Sequence, residues 1–161
     1  LELQLETFSP ADTQALGELI GQLLQPPVLL LLSGDLGAGK TCLVQGVARG
    51  LGVPADEPVA SPSYTLLNIH QGRCPLHHFD LYRLAHPEDL LDLGFDEYLE
   101  SGVTVVEWAD RIPELPTGGL RLHIEYIDEM GRRLLFTASE AQNERLLVEL
   151  GRCWREKERA R

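Results

Sequence analysis

The run Val28-Leu29-Leu30-Leu31-Leu32, followed almost at once by Gly34-Asp35-Leu36-Gly37-Ala38-Gly39-Lys40-Thr41, constrains this chain more than any other stretch. The unbroken apolar run reads as a strand buried on both faces of a sheet. The segment after it fits G-x-x-x-x-G-K-[ST], and Leu43, Val44, Val47, Ala48 and Leu51 continue it as a helical stripe. Strand, glycine loop and helix in that order are the setting in which this pattern has physical meaning. The glycines allow a tight turn whose N–H groups point inward at phosphate oxygens, and the helix adds its positive N-terminal end. Lys40 would then reach the terminal phosphates, and the Thr41 hydroxyl would take one position around Mg²⁺.

The chain of 161 residues suits one domain, and its net charge of −11 sets its surface against polyphosphate. Direct nucleic-acid binding is therefore disfavoured, and a phosphate site has to rely on local backbone dipoles, Lys40 and a cation. Three cysteines, Cys42, Cys74 and Cys153, match neither a CxxC pair nor a zinc set and fit a reducing cytoplasm. The longest apolar run is too short to cross a bilayer, so no membrane association is expected.

Leu1, Leu3 and Leu5 alternate with polar residues, as in an edge or near-edge strand. Ser9-Pro10-Ala11-Asp12 opens an amphipathic helix with a capping serine and proline at its first position, and Pro26-Pro27 stops it. Val53 to Pro58 is a loop. Tyr64 to His70 and Cys74 to Tyr82 flank Gln71-Gly72-Arg73 as a hairpin. A short helix opens at His86-Pro87 and ends at Gly94. Val103 to Val106 reads as a second buried strand, ending at Glu107-Trp108. Pro113 and Pro116 to Gly119 mark a loop, Leu120 to Ile127 and Arg132 to Ala138 form a strand pair, and Ser139 to about Trp154 forms a closing helix. This order implies an α/β sandwich on a mixed sheet.

A nucleotide hydrolase needs a carboxylate at the end of a strand neighbouring the phosphate loop. Glu107 is the better match for the metal shell, and Asp80 suits a role at metal-bound or attacking water. Each also reads as a solvated strand end. Ser61-Pro62-Ser63-Tyr64-Thr65 is either a nucleotide-sensing segment or a polar turn entering a strand. His77 and His78 are adjacent, face opposite sides of a strand and cannot both line one site. Arg83 and Arg111 suit either phosphate charge or local acids, and Trp108 suits packing or partner contact. From Arg152 the chain carries five basic residues against two acidic ones, a complement to a helix C-terminus with RNA docking as the weaker alternative. The Asn-Lys-x-Asp element of guanine recognition is absent, which favours ATP.

Together, Gly34 to Thr41, Ser61-Pro62-Ser63-Tyr64-Thr65-Leu66, His78-Phe79-Asp80-Leu81-Tyr82-Arg83-Leu84 and Val106-Glu107-Trp108 resemble the bacterial TsaE (YjeE) family, over about Thr7 to Ala138. The resemblance implies a P-loop NTPase-like three-layer sandwich and a small cytoplasmic ATPase. Such proteins act with TsaB and TsaD in making threonylcarbamoyladenosine beside the tRNA anticodon, so contact with tRNA is expected to be indirect. It implies ATP against Gly34, Asp35, Leu36, Gly37, Ala38, Gly39, Lys40, Thr41 and Cys42, with adenine between Ser9-Pro10 and the turn at Gly131-Arg132. Thr41 and Glu107 then serve Mg²⁺, and Asp80, Glu107 and Lys40 carry the catalysis. Ser63, Cys42 and Ala109 depart from the residues common in the family. A small-molecule P-loop kinase and a non-catalytic ATP-gated module are the alternatives.

Overall fold

A computed structural model describes residues 1–112 and 118–161. One seven-stranded mixed sheet organises them, in the order β1-β7-β6-β2-β5-β4-β3. The apolar run becomes β2 (Val28–Gly34) at the centre. It is parallel to β5 (Val103–Glu107) on one side and β6 (Leu120–Tyr126) on the other. β4 (Pro75–Asp80) lies parallel to β5, and β3 (Leu67–Gln71) closes that edge by an antiparallel hairpin. β7 (Arg132–Thr137) and β1 (Glu2–Thr7) complete the other half, both antiparallel to their neighbours, with β1 at the expected edge.

Side-chain alternation divides the core between two faces. Leu30, Leu32, Val103, Val105 and Leu76 join a cluster with α1 (Pro10–Leu23), α2 (Lys40–Gly50) and α5 (Ala141–Arg159). Leu31, Val106 and Phe79 face the other way, into a smaller cluster with α3 (Glu88–Asp92), α4 (Phe95–Tyr98) and a 3-10 turn at Ala109–Arg111. The result is the expected three-layer sandwich, with unequal outer layers.

Serine caps α1 as the sequence predicts: the Ser9 hydroxyl accepts the Asp12 N–H at 3.0 Å, and the Asp12 carboxylate accepts the Phe8 N–H at 3.0 Å. α1 and α2 then pack backbone to backbone. A Cβ built at Gly17, Gly21, Gly46 or Gly50 would fall 2.4, 2.3, 2.2 or 2.1 Å from a carbonyl oxygen of the opposite helix. Only hydrogen fits at these four positions, so the paired Gly-x-x-x-Gly spacings bring the two axes together.

Several boundaries differ from the sequence reading. β3 starts at Leu67 rather than Tyr64, because the Leu66 N–H turns back onto the Pro62 carbonyl at 2.8 Å and Leu66 adopts a left-handed φ of 69°. Past Gly94 the chain enters a further helical turn, α4, which buries Phe95 edge-on against Phe79 at 5.1 Å. The closing helix starts at Ala141 and runs to Arg159. Pro113, Pro116 and Thr117 of the expected loop lie outside the described residues.

Candidate functional site

Three strand ends meet above the phosphate loop. Leu32 of β2 is in register with Glu107 of β5, and Glu107 with Asp80 of β4, so the two carboxylates leave the sheet side by side. Each residue is 2% exposed. The loop between β2 and α2 turns on glycines in the left-handed region, Gly37 at φ 80° and Gly39 at φ 108°. These features surround a cavity of about 540 Å³ lined by Lys40, Thr41, Ser61, Asp80, Arg83 and Glu107, among others.

The Thr41 hydroxyl donates to the Glu107 carboxylate, at 2.9 and 3.2 Å from its two oxygens. A hydroxyl and a carboxylate in contact at the end of a phosphate loop are the hard oxygen donors a magnesium ion takes from protein, its other positions going to water and phosphate. The residues present therefore fit that ion. Asp80 holds the segment before β3: it accepts the Ser61 hydroxyl through one oxygen and the Tyr82 N–H at 2.8 Å through the other.

Lys40 is buried. Its ammonium donates to the carbonyls of Gly34 and Asp35 at 2.5 and 2.8 Å and sits 3.8 Å above the centre of the Trp108 ring. Burial lowers its pKa, against the opposing pull of Glu107, Asp110, Asp35 and Asp80. Trp108 has a left-handed φ of 59°, a conformation that costs on the order of 1–3 kcal/mol and persists only where surrounding contacts offset it, and its ring also packs on Tyr82 at 4.9 Å.

His77 and His78 face opposite sides, as expected. His77 hydrogen-bonds Thr104 at 3.2 Å and packs on Tyr98, and burial lowers its pKa from the ordinary histidine value. The Nε2 of His78 is hydrogen-bonded to the Glu107 carboxylate, with the two side chains 0% and 2% exposed. Sequence reasoning weighed the pair only as metal ligands and missed this contact. Its signal was the two-residue offset from His78 to Asp80, which places both on one face of β4.

Ser9, Pro10 and Arg132 are not in the cavity lining, but they gather beside the loop. The Cys42 thiol donates to the Pro10 carbonyl at 3.4 Å, and burial raises its pKa while nearby Arg132 opposes the rise. Arg132 Nε donates to the Ala38 carbonyl at 2.9 Å. Arg83 lies over the exposed Tyr64 ring at 4.5 Å, and Arg111 lies 5.9 Å from the Tyr82 ring. At the basic C-terminal end, Arg152 bridges Glu149 and Glu156 within α5, and Arg161, just past the helix, pairs with Asp12 of α1, so acids of this chain take both charges.

Residues 7–134 match the model of the family described as threonylcarbamoyl adenosine biosynthesis protein TsaE. The chain belongs to the TsaE family. It is 42% identical over 132 residues to a Nostoc protein named tRNA threonylcarbamoyladenosine biosynthesis protein TsaE, covering 78% of this chain and 80% of that one. A Bacillus subtilis protein of the same name is 39% identical over 154 residues, 94% of this chain and 95% of the relative. The crystal structure of Bacillus subtilis YdiB superposes with a TM-score of 0.81 at 37% identity, covering 94% and 95% of the two chains. The TsaE-matched region contains the phosphate loop, both strand-end carboxylates and His78, and it stops inside β7. No helix among the described residues is long and apolar enough to cross a membrane.

Proposed function

We propose that this chain binds Mg-ATP at the glycine loop and hydrolyses it, in support of threonylcarbamoyladenosine formation on tRNA by TsaB and TsaD partners. The observation that carries this reading is the Thr41 hydroxyl on the Glu107 carboxylate, with Asp80 in register beside it.

Loop N–H groups and the α2 N-terminus take the phosphate oxygens, and Lys40 leaves its carbonyls to supply a positive charge at the terminal phosphates. Thr41 and Glu107 hold Mg²⁺, which when bound neutralises charge that builds on the phosphates during transfer. His78 fixes the Glu107 carboxylate. Asp80 orients the attacking water through the carboxylate that holds Ser61, so movement of the Ser61 segment changes how Asp80 is presented. Adenine lies toward Ser9, Pro10, Cys42 and Arg132.

Isolated turnover is slow in this reading, because Arg83, an arginine of the cavity lining, is stacked on Tyr64. The net charge of −11 leaves the RNA surface to the partners. Phosphate release is measured from Mg-ATP with the chain alone and with TsaB and TsaD added, alongside tRNA binding by the chain alone at physiological salt. Slow basal release, stimulation by the partners and weak tRNA binding are expected. No phosphate release under either condition rejects the hydrolase, and partner-independent turnover rejects the coupling.

A further inference from the structure

The carbonyls of the phosphate loop are held by side chains from two directions. Lys40 takes those of Gly34 and Asp35. From β6 and β7, the Tyr126 hydroxyl donates to the Leu36 carbonyl at 2.9 Å and Arg132 Nε donates to the Ala38 carbonyl at 2.9 Å. Among the described residues, the N–H groups of Gly37, Gly39, Lys40 and Thr41 donate to no backbone carbonyl.

A trans peptide carries its C=O and the next residue's N–H in one plane, pointing opposite ways. Fastening the Leu36 carbonyl therefore sets the direction of the Gly37 N–H, and fastening the Ala38 carbonyl sets that of Gly39. The fastening group is itself held. Arg132 stacks on the Tyr126 ring at 4.3 Å and spends Nη1 on the carbonyls of Asp128, Glu129 and Gly131, at 3.0, 3.2 and 2.7 Å, which ties it to the β6–β7 turn. Gly37 lies close against the phenol: a Cβ there would come 2.7 Å from the Tyr126 oxygen, and its φ of 80° favours glycine.

We propose that Tyr126 is a positioning residue for the phosphates, its hydroxyl holding the Leu36–Gly37 peptide so that the Gly37 N–H is aimed into the loop. This rests on the reading of that loop as a phosphate site. Tyr126 belongs to no motif and stands at the end of β6, half-exposed, far from the loop in sequence.

Tyr126→Phe keeps the ring under Arg132 and removes one hydroxyl. Affinities of the wild-type and variant chains are measured for Mg-ATP, inorganic triphosphate and adenosine, together with the thermal midpoint of each ligand-free chain. Loss of one neutral hydrogen bond that orients a donor predicts about five-fold weaker binding of ATP and triphosphate, with adenosine binding and the midpoint unchanged. Unchanged triphosphate affinity in the variant overturns the proposal, as does an equal loss for adenosine. Failure of the wild-type chain to bind either ATP or triphosphate overturns the phosphate-site reading instead.

Discussion

His78 and Glu107 lie on adjacent parallel strands, and the imidazole Nε2 is hydrogen-bonded to the carboxylate where both side chains are closed to solvent. A buried carboxylate that also accepts the Thr41 hydroxyl has few alternative orientations, so the histidine fixes which way its oxygens point. Groups that orient ligating carboxylates commonly change metal affinity or activity about 10-fold or more when removed. His78→Asn is expected to raise the magnesium concentration needed for half-maximal nucleotide binding by roughly that factor, and His78→Gln, which extends its amide farther, to recover part of it. A magnesium titration at fixed nucleotide reads both; an unshifted midpoint in His78→Asn removes the role.

Lys40→Ala takes away a buried charge placed beside the loop, and Thr41→Ala takes away the hydroxyl on Glu107. A hydrogen bond to a charged group contributes about 1.5–3 kcal/mol, so Lys40→Ala should weaken ATP binding by about 10- to 100-fold. Thr41→Ala should weaken binding chiefly when magnesium is present. Calorimetry with and without the metal separates the two, and native affinity in both variants contradicts the site.

The paired carboxylates divide by step. Glu107→Gln should flatten the magnesium response, while Asp80→Asn should leave ATP bound and lower turnover about 10-fold or more. Wild-type hydrolysis in both variants would sink the assignment, and a lost magnesium response in Asp80→Asn alone would exchange the roles.

Gly46→Ala tests the helix contact at a residue outside the cavity lining. Its methyl group would lie 2.2 Å from the Gln14 carbonyl oxygen, which forces α1 and α2 apart. Overpacking of this kind costs about 1–3 kcal/mol, a loss that urea denaturation resolves. A variant as stable as the parent would mean that the helices separate freely.

Acid should destabilise the chain through His77. Burial lowers its folded pKa from the ordinary 6.5, so below that value the unfolded chain binds the proton more readily. Stability from this group is complete above 6.5 and declines as pH falls toward the lowered folded value. His77→Gln should flatten this part of the stability-against-pH curve, and an unaltered slope would assign the acid sensitivity to other groups.

The strand, loop and helix around Lys40 were legible because each has a local signature: an apolar run, glycines where φ turns positive, and a helical stripe. The Glu107 strand end was legible for the same reason. Contacts set by register were not. His78 reaches Glu107 only because β4 and β5 align in parallel, and Tyr126 reaches Leu36 across 90 residues of chain. α4 was hidden because Gly94 reads as a terminator, while the buried Phe95 and its contact with Phe79 restart the helix. The glycine spacings of α1 and α2 were visible but acquire meaning only once the helices are known to cross there.

Those glycines carry a mechanical consequence. α1 begins at Ser9 and Pro10, beside the region assigned to the base, and α2 begins at the phosphate loop. Joined backbone to backbone, they form a caliper with a fixed gap, and the base and phosphate ends of a nucleotide are gauged by one stiff body. Bound nucleotide cannot be sensed by opening that gap. Any response must appear across the cavity, where Ser61 hangs on Asp80, Leu66 and Trp108 hold left-handed turns, and release of Lys40 from the indole would be felt first.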